Sequence, residues 1–187
     1  VQKGGYPHFM IKEIMEQPKS LRQTMSGRIQ QGKAAFQELE PLREQLSDSK
    51  RMNRIILLGC GTAYHAGLVG KYLLEKLVRT PVEVDMSSEF RYSSPLITPE
   101  TLVIAISQSG ETADTLASVR YARSHGATVI AVCNVVGSSI TREVDATVYT
   151  YAGPENAVAS TKAYTSQLDT LFLLALHLGS LRETLPT

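Results

Sequence analysis

Val82-Glu83-Val84-Asp85-Met86 alternates apolar with acidic side chains, whereas Ile55-Ile56-Leu57-Leu58 and Leu102-Val103-Ile104-Ala105-Ile106 are apolar throughout. Side chains alternate between the two faces of a strand, so a half-polar run belongs at the rim of a sheet and an unbroken apolar run at its covered centre. Arg54–Leu58 and Thr101–Ile106 therefore read as central neighbours, with Val82–Met86 at the edge beside the first. Ala127–Val132 and Ala146–Thr150 complete a set of strands separated by longer amphipathic stretches, the pattern of βαβ units around a parallel sheet. Right-handed crossovers then give the order 2-1-3-4-5, a doubly wound, flavodoxin-like α/β arrangement.

The stretches between the strands carry helical spacing. Ala66, Val69, Leu73 and Leu77 predict one apolar stripe on a helix of about four turns, and Thr112–Ser124 forms the next. A last helix is expected over Ser160–Leu181, with Tyr164, Leu168, Leu171, Ala175 and Leu178 along one side and an almost wholly apolar final third. Ahead of the sheet, Met10–Gln17 and Ser20–Ile29 read as short helices broken at Pro18, and Ala34–Leu46 as a third interrupted by Pro41. The change in texture divides the chain into a polar helical arm, residues 1–50, and an α/β domain, residues 51–187.

Composition narrows the function classes. Of 187 residues, 43% are hydrophobic and 20% charged, and Lys+Arg 19 against Asp+Glu 18 leaves a net charge of +1. No block of like charges occurs, which argues against a nucleic-acid or membrane surface driven by bulk charge. The apolar run Leu171–Leu176 is far short of the roughly 20 residues of a membrane span, and no signal-peptide pattern opens the chain, so a cytoplasmic location is expected. Cys60 and Cys133 are the only cysteines; neither a disulfide framework nor zinc-ligand spacing is present, and no metal or cofactor is expected.

In an open parallel sheet, ligands bind beyond the carboxyl ends of the strands where the order reverses, here between the first and third strands. After the third strand comes Ser107-Gln108-Ser109-Gly110-Glu111-Thr112, entering a helix. Its hydroxyls, its glycine and the positive end of the helix dipole suit a phosphate held by neutral donors. The plain alternative is that Ser109 or Thr112 only caps the helix. After the first strand comes Gly59-Cys60-Gly61-Thr62-Ala63-Tyr64. It begins like a dinucleotide fingerprint but has Tyr64 where the third glycine belongs, so it reads as a tight turn aiming Thr62 at the crevice, or as strand–helix packing alone. Ser160 and Lys162 are by themselves most simply a helix cap and a solvated charge. His8, His65, His125 and His177 share no catalytic or metal spacing, and Glu111 and Glu155 are possible acids or bases or simply loop carboxylates.

Taken together, Ile106-Ser107-Gln108-Ser109-Gly110-Glu111-Thr112-Ala113-Asp114-Thr115, with Cys60-Gly61-Thr62 before it and Val158-Ala159-Ser160-Thr161-Lys162-Ala163 after it, resembles the sugar isomerase (SIS) domain family. Within it, the chain is most similar to the first SIS subdomain in the isomerase half of the glutamine–fructose-6-phosphate aminotransferases, also called glucosamine-6-phosphate synthases. Tyr6-Pro7-His8-Phe9-Met10-Ile11-Lys12-Glu13-Ile14-Met15-Glu16-Gln17-Pro18, Ser88-Glu89-Phe90-Arg91-Tyr92 and Cys133-Asn134 extend the likeness over nearly the whole chain.

The resemblance implies a three-layer α/β/α sandwich with a five-stranded parallel sheet. It also implies a sugar phosphate, fructose 6-phosphate or glucosamine 6-phosphate, gripped by Thr62, Ser107, Gln108, Ser109, Thr112, Val158, Ala159 and Ser160. One position departs, because the family often carries serine where this chain has Ala63. The family takes ammonia from glutamine in a separate domain, opens the sugar ring and moves a proton from imine to enolamine. Its carboxylate base and lysines belong to a second SIS subdomain, and a histidine to a neighbouring subunit. Beginning at Val1 without an initiator methionine, the chain is expected to be a first subdomain that recognises sugar phosphate with no catalytic residue of its own. Its partners would be the glutaminase domain, the second subdomain and, as a homodimer, a second copy covering the apolar Leu171–Leu178 stretch. Two other readings stay open: a stand-alone SIS sensor that docks a partner through the arm, and a nucleotide-binding flavodoxin-like domain.

Overall fold

The computed structural model describes residues 2–185; residues 1, 186 and 187, the outermost ends of the arm and of the α/β domain, lie outside the described residues. The chain runs α1 (Phe9–Met15), α2 (Gln17–Met25), β1 (Ile29–Gln30), β2 (Lys33–Ala34), a 3₁₀ turn (Gln37–Leu42) and α3 (Arg43–Ser47). It continues β3 (Arg54–Gly59), α4 (Thr62–Val78), β4 (Val82–Met86), α5 (Ser87–Phe90), β5 (Thr101–Ser107) and α6 (Ala113–Ser124). Then follow β6 (Thr128–Cys133), a 3₁₀ turn (Ser139–Arg142), β7 (Ala146–Tyr149) and α7 (Lys162–Leu181). Among the described residues no helix is long and apolar enough to cross a membrane.

The five-stranded sheet has the order β4-β3-β5-β6-β7, parallel throughout, which is the 2-1-3-4-5 order expected from the strand patterns. β5 and β6 are buried at every residue, while β4 exposes Glu83 and Met86 at the rim. Two cores lie on the two faces. Ile55, Leu57, Leu102, Ile104, Ile130 and Val148 pack beneath α4 and α7, and Ile56, Leu58, Val103, Val129 and Ala131 pack beneath α5 and α6. These are the three layers of an α/β/α sandwich.

Several local expectations give way to packing. On α4 the buried face is Ala63, Ala66, Gly67, Gly70, Leu74, Leu77 and Val78, while Val69 is 41% exposed. The two glycines set that face, since a Cβ at Gly70 would lie 3.0 Å from Leu171 Cδ1 and one at Gly67 3.0 Å from Val84 Cγ1. An apolar-spacing count gives glycine no weight, so it misses the side on which the helix approaches its neighbours. In α7, Leu171, Leu173, Leu174, Ala175 and Leu178 are all buried within the chain itself. Most of the stretch expected to lie against a second copy is therefore covered, chiefly by α4 and the N-terminal elements, while Phe172 within it is 43% exposed.

The first fifty residues are less helical than their polarity suggests. Pro18 does not break a helix but lies in the first turn of α2, where a missing N–H is tolerated. α2 stops at Met25, and a hairpin of β1 and β2 follows. Its two-residue loop, Gln31-Gly32, has φ of 51° and 75°, the pair of positive values that a type I′ turn requires. The segment also contributes Phe36, Leu39 and Leu46 to the core under α7.

His177, on the inner face of α7, is 5% exposed; its Nδ1 lies 3.1 Å from the Ala34 carbonyl and its ring meets Phe36 edge-on. Burial holds its imidazole below the ordinary histidine value, against the bond to Ala34 and the charges of Glu40 and Glu38, with Arg43 adding to the depression. The unfolded chain therefore takes up this proton at about pH 6.5, before the folded chain does. The contribution of neutral His177 is whole above that pH and is lost as pH falls through the folded value. Urea midpoints of the wild-type chain should fall more steeply between about pH 7.5 and 5.5 than those of His177→Gln; parallel falls would remove His177 from the account.

Candidate functional site

A cleft of about 240 Å³ opens beyond the carboxyl ends of β3 and β5. β5 ends at Ser107, and the loop to α6 turns back through Gly110, whose φ is +66°. The Ser107 hydroxyl accepts a hydrogen bond from the Gly110 N–H at 2.9 Å, and the Ser109 hydroxyl one from the Glu111 N–H at 3.2 Å. A hydroxyl that accepts from its own loop is fixed in place and keeps its proton for an outside acceptor. Thr112 stands at the N-cap of α6 but makes no side-chain capping bond, so simple helix capping does not account for its hydroxyl.

Thr62, Ser107, Gln108, Ser109, Thr112, Val158 and Ser160 all line this cleft, and Ala159 does not. Thr62 begins α4, Thr112 caps α6 and Ser160 lies two residues before α7. Three helix N-termini therefore face one space, each worth about half a positive charge. The lining contains no Lys, Arg or His. An anion here is met by dipoles and neutral donors rather than by a fixed cation.

The third wall, residues 155–160, is held from two directions. The Glu155 carboxylate, itself on the cleft wall, accepts from Thr161 N and Ala163 N at 3.0 Å each and so caps α7. Ser160, which the sequence alone suggests for that cap, instead lines the cleft. From the other side, buried Glu13 of α1 accepts from Asn156 N at 2.7 Å and, through Oε2, from Ala157 N at 3.2 Å. Lys162 is not a solvated charge: it is 4% exposed, and its Nζ lies 2.6 Å from Glu16 Oε2. The hydrogen bond from Lys162 holds the Glu16 carboxyl below the usual range, against a smaller opposing effect of burial. Farther along, Ser20 donates to Ala152 O at 2.9 Å, Thr24 to Thr150 O at 2.6 Å, and Arg28 to Tyr149 O. One face of the N-terminal segment thus braces the chain from the end of β7 to the start of α7.

A match to the family model of the SIS domain spans residues 48–177. The chain belongs to the SIS domain family. The glutamine–fructose-6-phosphate aminotransferase (isomerizing) of Clostridium tetani is 58% identical over 185 residues, 98% of this chain and 30% of that protein. The corresponding enzyme of Streptomyces coelicolor is 50% identical over 183 residues, 98% of this chain and 29% of that protein. The solved C-terminal domain of glucosamine-fructose-6-phosphate aminotransferase from Francisella tularensis superposes with a TM-score of 0.91 at 37% identity. That superposition covers 100% of this chain and 51% of the other. The chain thus spans about a third of the curated relatives it matches and half of that solved domain.

Other polar groups of this SIS domain are engaged away from the cleft. Glu111 turns outward to accept from Ser139 N at 2.7 Å, and hydrogen bonding from the Ser139 side chain and backbone holds its carboxyl below the usual range. His65 Nδ1 lies 2.9 Å from Gly61 O, and His125 stacks on Tyr121. Burial pushes the Cys133 thiol up, which makes it a packing residue rather than a nucleophile. Among the described residues no group of His, Cys, Asp and Glu could hold a metal ion. Gly59 serves packing, since a Cβ there would lie 2.8 Å from the Ala63 and Tyr64 backbone, whereas Gly61 makes the turn at φ +57°. Asn134 takes the Ala152 N–H at 2.8 Å and donates to Gly153 O at 2.8 Å, organising the chain that leads into the third wall.

Ala63, where the family often carries serine, also reaches the wall, and so do Cys60, Ile106, Thr115, Ala157 and Gln167, to which the motifs assign no contact. Thr115 was legible in principle, one helical turn beyond Thr112. Gln167 belongs to no motif and is singled out only by the structure, as a long polar side chain 3% exposed on α7.

Proposed function

We propose that this chain is the sugar-phosphate-binding SIS subdomain of a glutamine–fructose-6-phosphate aminotransferase, taking fructose 6-phosphate and glucosamine 6-phosphate. The observation that carries the reading is the convergence of Ser107, Ser109, Thr112, Thr62 and Ser160 with three helix N-termini on one cleft without a cation. A phosphate needs several fixed donors, and such a cleft supplies them. Its volume of about 240 Å³ lies below the roughly 300 Å³ at which ordinary cofactor pockets begin, which suits a small sugar phosphate and disfavours a flavin or dinucleotide. The named activity of the relatives supports the same ligand class.

In this reading residues 1–50 form the lead-in arm and 51–187 the binding domain. The arm's polar face is engaged in bracing the third wall, which favours a positioning role over the free docking segment of a sensor. Glu155, the ionisable carboxylate on the wall, already accepts two backbone N–H groups. In this reading the proton shift between sugar carbons belongs to groups outside this subdomain, and the task here is to seat the phosphate end.

Titration calorimetry tests this directly. Glucosamine 6-phosphate should bind and glucosamine should not. Ser109→Ala combined with Thr112→Ala should weaken binding by about 100-fold, the loss of two hydrogen bonds to a charged group. Equal binding of glucosamine, or an unaffected double variant, would move the site elsewhere.

A further inference from the structure

We infer that Gln167 is a specificity-determining residue of the cleft, its side-chain amide contacting a hydroxyl of the sugar rather than the phosphate; this rests on the sugar-phosphate reading above. Gln167 is 3% exposed and lines the cleft, yet its buried carbonyl oxygen has no hydrogen-bond partner among the described residues. The hydroxyls of Thr161 and Ser166 are unpartnered as well, but neither residue is on the cleft wall.

A buried amide oxygen without a donor is destabilising, and an apolar side chain of equal length would avoid that while filling the same space. The amide gains only if something in the cleft completes it. A phosphate dianion is an acceptor and cannot donate to a carbonyl oxygen. A sugar hydroxyl both donates and accepts, so it satisfies the amide whichever end is turned to it about the broad terminal torsion. The phosphate, in turn, is already provided for by the hydroxyls of the loop after β5 and by the start of α6. Gln167 stands on a different element, α7, and lines the same space.

The test compares the wild-type chain with Gln167→Met, close in volume and without the amide, and with Gln167→Asn, which keeps the amide but shortens its reach. Each is titrated with glucosamine 6-phosphate and with inorganic phosphate, and its melting temperature is recorded. Both variants should weaken glucosamine 6-phosphate binding about tenfold and leave inorganic phosphate unchanged, with Gln167→Met melting at or above the wild-type temperature. Unchanged affinity for glucosamine 6-phosphate overturns the inference while the cleft reading stands. An equal loss for both ligands does the same, because it makes Gln167 a support of the phosphate loop. Failure of both variants to fold also overturns it, by making the amide a structural requirement. A wild-type chain that binds neither ligand removes the cleft reading and this inference together.

Discussion

Gly110→Ala should lower stability by about 2–5 kcal/mol and abolish glucosamine 6-phosphate binding, through two separate costs. The backbone at Gly110 has φ +66°, which an L side chain tolerates at about 1–2 kcal/mol. The new Cβ would also lie 2.2 Å from Ser138 Oγ and 2.8 Å from Ile140 Cγ2. Neither neighbour can retreat, since the Ser138 hydroxyl donates to Val135 O at 2.9 Å and Ile140 N donates to Gly110 O at 3.0 Å. Overpacking of this kind adds about 1–3 kcal/mol. The shift it forces would displace Ser107 and Ser109, whose hydroxyls are set by this turn. Gly61→Ala separates the two costs: φ there is +57°, but an added Cβ meets nothing within 4 Å. Urea denaturation should place Gly61→Ala clearly between the wild type and Gly110→Ala; equal midpoints for the two variants would mean that the contact with Ser138 carries no weight.

The strand order was legible because one strand alternates Val82, Glu83, Val84 and Asp85 while its neighbours do not, and a sheet has only one kind of place for such a pattern. The hydroxyl loop was legible because a strand that ends in Ser107 and a helix that begins after Thr112 must put those side chains at a switch point. Facts that depend on who packs against whom were not legible. Val69 has the right spacing for a core stripe on α4, but two glycines on another side let α7 and β4 come closer, and the helix turns to them. Lys162 reads as a surface charge until α1 places Glu16 beside it. Ala159 stands in the same motif as Val158 and Ser160 yet is not part of the wall, a difference the motif itself does not encode. Gln167 carries no motif at all; only its burial and its missing partner single it out.

Glu13→Ala should loosen the third wall of the cleft, although Glu13 lies far in sequence from every cleft residue. Glu13 is 1% exposed, and its carboxylate accepts the N–H groups of Asn156 and Ala157. Removing it leaves two backbone donors without an acceptor, at about 1–3 kcal/mol for each that stays buried. Ala157, Val158 and Ser160 belong to the cleft wall, so the freed segment should also weaken glucosamine 6-phosphate binding. Glu13→Gln keeps the oxygen facing Asn156 but sets an amide donor against the Ala157 N–H, and should fall between wild type and Glu13→Ala. Hydrogen exchange reports the effect locally: the amides of Asn156 and Ala157 should lose protection in Glu13→Ala before those of β5 and β6 change. Wild-type protection at both amides would mean that water replaces the carboxylate and that the brace is dispensable. If protection and affinity fall together, displacement of the N-terminal segment is transmitted to the sugar-phosphate cleft through one buried carboxylate. The lead-in arm then governs the site that it leads into.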